Sequence, residues 1–180
     1  MKTTSPNTTI GPYFPFDFVD ECSDLTTKNP KGQKILLTGT VLEEGGKPTV
    51  NTILEIWQTD ASGVFRSDAD PRSKSADPAF PGWGRTRTDA DGRYKIYTVL
   101  PGSYDGRVPH INVMILAIGL TRRLTTTVFF GSGNDPVLSL VPDPAKLAAV
   151  RETALDEEGF SAYRFDIVLR GEGETPFFAD

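Results

Sequence analysis

The chain has 180 residues, a length that suits one domain built around one substantial core. Hydrophobic residues make up 38% and charged residues 24%, the ordinary balance of a globular protein, and a net charge of −5 argues against nucleic acid, which calls for a basic face. The single cysteine, Cys22, excludes an internal disulfide framework and any multi-cysteine zinc site, and no apolar run approaches the ~18 residues of a membrane span.

The opening stretch MKTTSPNTTIGPYFPFDF holds one lysine but no apolar h-region, so it does not read as a signal peptide. Together with the lone thiol this points to a cytoplasmic protein. Tyr13, Phe14, Phe16 and Phe18 crowd the same stretch, on backbone kept extended by Pro12 and Pro15. Such an arm must lie on its own domain or on a neighbour's, and residues 1–33 are read as an arm that docks on a partner subunit.

Residues 34–42, KILLTGTVL, read as a strand that ends in the turn EEGGKP. In 52–59, TILEIWQT, Ile53, Glu55 and Trp57 share one face and Leu54, Ile56 and Gln58 the other. A tract from 67 to 84, rich in Asp, Pro and Ser, reads as a long loop, of the kind that usually serves function or shapes an interface. The turn at Asp91-Gly92 leads into a strand in which Tyr94, Ile96 and Thr98 oppose Lys95, Tyr97 and Val99. Residues 110–117, HINVMILA, are mostly apolar on both faces and predict a central strand buried on both sides.

Residues 124–130 and 162–170 complete the strands. DPAKLAAVRETA predicts the one helix, with Asp143 as N-cap and Pro144 in the first helical position. Short strands punctuated by glycine and proline predict an all-β fold. It is a two-sheet β-sandwich over 34–180, with long loops, one short helix and an extended N-terminal arm.

The chemistry-bearing motifs are few. No G-x-S-x-G elbow presents a nucleophile, and neither a dinucleotide nor a P-loop glycine motif is present. SDADPRSKSADP echoes a calcium loop in its alternating carboxylates, but lacks the following glycine and the closing glutamate. The only histidine, His110, opens the central strand. Two residues on, where the side chain would share its face, stands Asn112, a poor ligand for a transition metal. Tyr104 could add a phenolate oxygen suited to ferric iron, yet one His and one Tyr are too few, so the residues alone favour a structural His110.

The stretches IGPYF, LEIWQTDASGVF, FPGWGRTRTDADGRYKIYTVLPGSY, PHINV, DPVLSLVP and YRFDIVLRGEGETPFF follow one another from residue 10 to 178. In this order they resemble the intradiol ring-cleavage dioxygenases, most closely the α-type subunits of the protocatechuate-cleaving members. The resemblance implies a catalytic β subunit as partner, in a hetero-oligomer of α–β pairs, with Fe(3+) bound by that β subunit through two tyrosines and two histidines. By matched motif, those four ligand positions fall on Phe65, Tyr104, His110 and Asn112, and an arginine just before the histidines falls on Arg107. Phenylalanine offers no oxygen and asparagine only a neutral amide, so the resemblance implies a vestigial site, no metal in this chain, and a chain inactive alone.

The arm residues Thr9, Gly11, Pro12 and Tyr13 match positions that line the partner's substrate pocket. The implied reaction inserts both atoms of O2 between the hydroxylated carbons of an ortho-diphenol, turning protocatechuate into 3-carboxy-cis,cis-muconate. Ile118 stands where α-type subunits carry an arginine; with Arg122 and Arg123 nearby, another acidic catechol such as a sulfocatechol is an alternative substrate. A non-catalytic binding or structural sandwich is the alternative from another class.

Overall fold

A computed structural model of the chain describes residues 22–156 and 158–178. Among them are nine strands: β1 (Lys34–Leu42), β2 (Ile53–Gln58), β3 (Trp83–Arg87), β4 (Arg93–Val99), β5 (His110–Leu116), β6 (Leu124–Phe129), β7 (Val150–Leu155), β8 (Ser161–Arg164) and β9 (Ile167–Val168). They form two sheets, one ordered β4-β1-β8-β7 with β9 also paired to β1, the other ordered β3-β2-β5-β6. The inner faces meet in one core, to which β1 contributes Ile35, Leu37 and Val41, β2 Leu54 and Ile56, and β5 Ile111, Val113 and Ile115. The alternation read from residues 52–59 is thus the alternation between core and outer face.

The stretch 162–170, expected as one strand, is interrupted between β8 and β9. There the Asp166 carboxylate accepts the Thr40 N–H at 2.9 Å, taking the bond that a strand carbonyl would otherwise accept. The Phe165 carbonyl turns inward and accepts the Tyr94 hydroxyl at 2.6 Å. Gly39 makes this possible, because a Cβ at that position would sit 1.9 Å from the same carbonyl oxygen. Burial, with the Asp166 charge adding to it, pushes the Tyr94 phenol far above its ordinary range, so it stays a neutral donor.

The predicted helix is corrected. Asp143 does cap, accepting the Ala145 N–H at 3.2 Å, but only one 3-10 turn follows, Pro144–Leu147. Leu147 is fully buried against Val108, Phe129 and Val141, and the Ala149 N–H bonds the Phe129 carbonyl at 2.8 Å. Those two anchors pull the chain out of helical geometry and deliver it to β8 as strand β7. Pairing with a neighbour outweighs the modest helix preference of AAVRETA.

The strand β3 begins inside the tract expected as loop, because WGRTR has no apolar alternation to announce it. The strand β5 is central, between β2 and β6, but its two faces differ: Ile111, Val113 and Ile115 are buried, while Asn112, Met114 and Leu116 are half-buried. The outer face of the β3-β2-β5-β6 sheet is therefore partly open, and the residues of interest lie on it. Among the described residues, no helix is long and apolar enough to cross a membrane.

Candidate functional site

Cross-strand register builds this face in two rows. Trp83, Trp57, Asn112 and Thr127 lie abreast on β3, β2, β5 and β6. Arg85, Glu55, Met114 and Thr125 form the next row. Arg85 donates its Nε–H to Glu55 Oε1 at 2.7 Å and places its guanidinium 5.1 Å from the Trp83 ring centre. Trp57 and Trp83 remain 49% and 41% exposed, unusual for the largest apolar side chains.

Phe65 leaves β2 through a turn held by Asp60. That buried carboxylate accepts N–H groups from Ser62 at 2.8 Å and Val64 at 3.1 Å through Oδ1, and from Asp77 at 2.8 Å through Oδ2. Asp70 accepts the Phe65 N–H at 3.1 Å and pairs with Arg72 at 3.2 Å; the hydrogen bond from the Arg72 side chain is the largest cause holding its carboxyl below the ordinary range. The aspartates that echo a calcium loop are thus partly spent on ordering the loop. Among the described residues no group of three or more His, Cys, Asp or Glu side chains is gathered for a metal.

The Phe65 ring lies 5.4 Å from Trp57 and 5.0 Å from Tyr104, edge-on to the latter. Arg72 covers the Tyr104 ring at 5.0 Å. This aromatic run depends on Gly63, whose φ is +78° and whose missing Cβ would stand 1.9 Å from the Ser103 carbonyl oxygen. Replacing Gly63 with alanine is expected to destabilise the chain by about 3 kcal/mol, from forced φ and overpacking together. It should also part Phe65 from Tyr104. Urea unfolding with near-ultraviolet dichroism checks both, and an unchanged aromatic signal would contradict the second.

His110 is buried beside Phe129, ring centres 5.6 Å apart. Its Nδ1 lies 2.7 Å from the Val108 carbonyl, which can only accept, so Nδ1 carries the proton and Nε2 the lone pair. Burial lowers its pKa, a shift that Arg107 reinforces and the Val108 bond and Asp135 oppose. Arg107 turns away to Asp135, donating Nε–H to Oδ2 at 2.7 Å, with its guanidinium 5.9 Å from the Phe129 ring centre. Asn112 Oδ1 accepts from the Thr127 hydroxyl at 3.2 Å.

The five residues singled out from sequence thus form two groups. Phe65 and Asn112 adjoin Trp57, with Tyr104 against Phe65, whereas Arg107 and His110 adjoin Phe129, with Arg107 bonded to Asp135. The arm residues Thr9, Gly11, Pro12 and Tyr13 lie outside the described residues. As a ferric site this donor set does not fit: one neutral imidazole nitrogen and one phenol oxygen are the only suitable donors, Phe65 has none, and the Asn112 oxygen is already engaged. Sequence reasoning did not single out Trp83, Arg66, Arg72 or Asp135. Only the pairing of Trp83 with Trp57 reveals the first, and nothing local distinguishes the others.

The sequence profile of the Dioxygenase family matches residues 11–171. The chain is 31% identical to the protocatechuate 3,4-dioxygenase alpha chain of Pseudomonas putida, an alignment covering 97% of this chain and 95% of that one. It is 39% identical to the beta chain of the Burkholderia cepacia enzyme over 82% of its own length and 68% of the relative's. Among solved structures, the dioxygenase domain of a dioxygenase carbohydrate-binding protein fusion from Streptomyces sp. SirexAA-E superposes with a TM-score of 0.63, at 29% identity, covering 91% of this chain and 96% of that one.

Proposed function

Because the chain belongs to the intradiol dioxygenase family, we propose that it is the non-iron-binding, α-type subunit of a protocatechuate 3,4-dioxygenase-type enzyme. One observation carries this reading: Phe65 and the engaged Asn112 stand where two donors would be needed. Identity is higher to a beta chain, but the near-complete mutual coverage with alpha chains and the deficient donor set both favour α.

On this reading the arm of residues 1–33 reaches a β-type partner through Thr9, Gly11, Pro12 and Tyr13, which line the partner's substrate pocket. Its described part packs on its own domain, with Leu25 buried in the core and its N–H bonded to the Tyr97 carbonyl at 2.9 Å. Glycine and proline suit such a wall, since they approach a flat ring closely and leave the chemistry to the other chain. The partner's ferric iron supplies activation of the catechol toward O2. This chain contributes shape and excludes water from the ring, and the assembled pair, in the cytoplasm, opens protocatechuate between its hydroxylated carbons to 3-carboxy-cis,cis-muconate. A sulfocatechol is the second candidate substrate, favoured by the exposed Ile118 at a position expected to be arginine.

The test is iron content and protocatechuate-dependent O2 uptake, for this chain alone and co-purified with a β-type chain. Iron and turnover confined to the pair are the expected result. Stoichiometric iron or turnover in the lone chain would overturn it.

A further inference from the structure

The open face of the β3-β2-β5-β6 sheet holds a groove of about 550 Å³, within the size range of small-molecule sites. Trp57, Trp83 and Met114 wall it, and Arg66, Asn112 and Arg123 are among the polar residues that line it. Its acid, Glu55, is ion-paired to Arg85, so among the described residues no lone carboxylate lines the groove. Arg66 spends Nη1 on the carbonyls of Pro78 and Phe80, at 3.1 and 3.4 Å. Its Nε–H and Nη2 groups have no acceptor among the described residues, and the Asn112 amide N–H groups likewise donate to none of them.

We infer that this groove is a metal-independent binding site for a small planar aromatic carboxylate, held on this chain itself. The ring lies against the exposed indoles and the carboxylate takes the free Arg66 donors and the Asn112 amide. The lining offers stacking on tryptophan and a charge-assisted hydrogen bond to a guanidinium, and an aromatic acid uses both. The chain that cannot assemble a ferric site thus keeps an aromatic-acid site of its own, separate from the pocket it is proposed to help build on a partner.

The composition provides a direct reporter, because the chain has two tryptophans and both wall the groove. Chelator-treated chain is titrated with benzoate, and tryptophan emission and heat are followed. Saturable quenching is expected, with one site per chain and a dissociation constant on the order of 1 mM. Benzyl alcohol, which keeps the ring but not the charge, should bind at least about tenfold more weakly.

Arg66→Gln should weaken benzoate about tenfold and leave benzyl alcohol unchanged. Because Arg66 also holds loop carbonyls, Asn112→Asp is a second variant, which sets a carboxylate against the ligand and should abolish benzoate binding. No saturation, equal affinity for acid and alcohol, or benzoate affinity unchanged in both variants would overturn the inference. The readout involves no turnover, so it stands or falls apart from the partnership with a β-type chain.

Discussion

Replacing Asp135 with alanine is expected to cost the folded chain about 3 kcal/mol, which for a chain of this size lowers the melting temperature by about 10 °C. Asp135 is fully buried, and both carboxylate oxygens are occupied. Oδ2 accepts from Arg107 at 2.7 Å and the Val108 N–H at 3.0 Å, and Oδ1 from the Val137 N–H at 2.8 Å and, at 3.4 Å, the Leu138 N–H. Removing it strands a partly buried guanidinium and at least two amides at once. The effect should reach His110, whose ring is held by the Val108 carbonyl, so its proton resonance is expected to shift with the stability loss. Urea unfolding of the variant decides the matter, and a loss under about 1 kcal/mol would contradict the argument.

The same carboxylate sets an acid limit. Burial pushes its pKa up, but the Arg107 side chain and the Val137 and Val108 amides outweigh burial and hold it below the ordinary range. A carboxyl depressed in the folded state contributes stability above its unfolded pKa, near 3.9, and that contribution disappears as pH falls through the lower folded value. Wild-type chain should therefore lose stability more steeply below about pH 4 than the alanine variant does. Parallel slopes would remove Asp135 from the account.

The second large effect concerns metal. Joint substitution Phe65→Tyr and Asn112→His is expected to raise bound ferric iron from background to about one per chain, with visible phenolate-to-iron absorption. The wild-type chain supplies Tyr104, 5.0 Å from the Phe65 ring, and His110, whose Nε2 already carries the lone pair. The missing donors belong to the two substituted positions, and Thr127 is placed to hydrogen-bond the imidazole introduced at 112. Either single substitution leaves three donors and should bind far less. An iron-free double variant that is folded would mean that the separation of Tyr104 from His110, rather than donor chemistry, closes the site.

Much of the fold was legible because core strands announce themselves through period two. Leu37 and Val41 bracket Thr38 and Thr40, and Leu54 and Ile56 bracket Glu55, and their strands lie where that alternation places them. AAVRETA misled for the complementary reason. Its residues suit a helix weakly, every residue of β7 is exposed, and no buried face records its partner. Strand β3 was hidden in the same way, since Gly84 and Thr86 bury themselves without looking apolar.

The sequence by itself determined the family and the sandwich, because each rests on residue identity and order, and it is also what raises the expectation that Phe65 and Asn112 leave a ferric site short of donors. Only the tertiary structure decided that Trp83 joins Trp57, that Phe65 packs on Tyr104 rather than standing apart, and that Arg107 is turned to Asp135. These are contacts between residues far apart in the chain. Their partners are chosen by register and by close backbone approach at Gly63, and no local pattern of side chains encodes that choice.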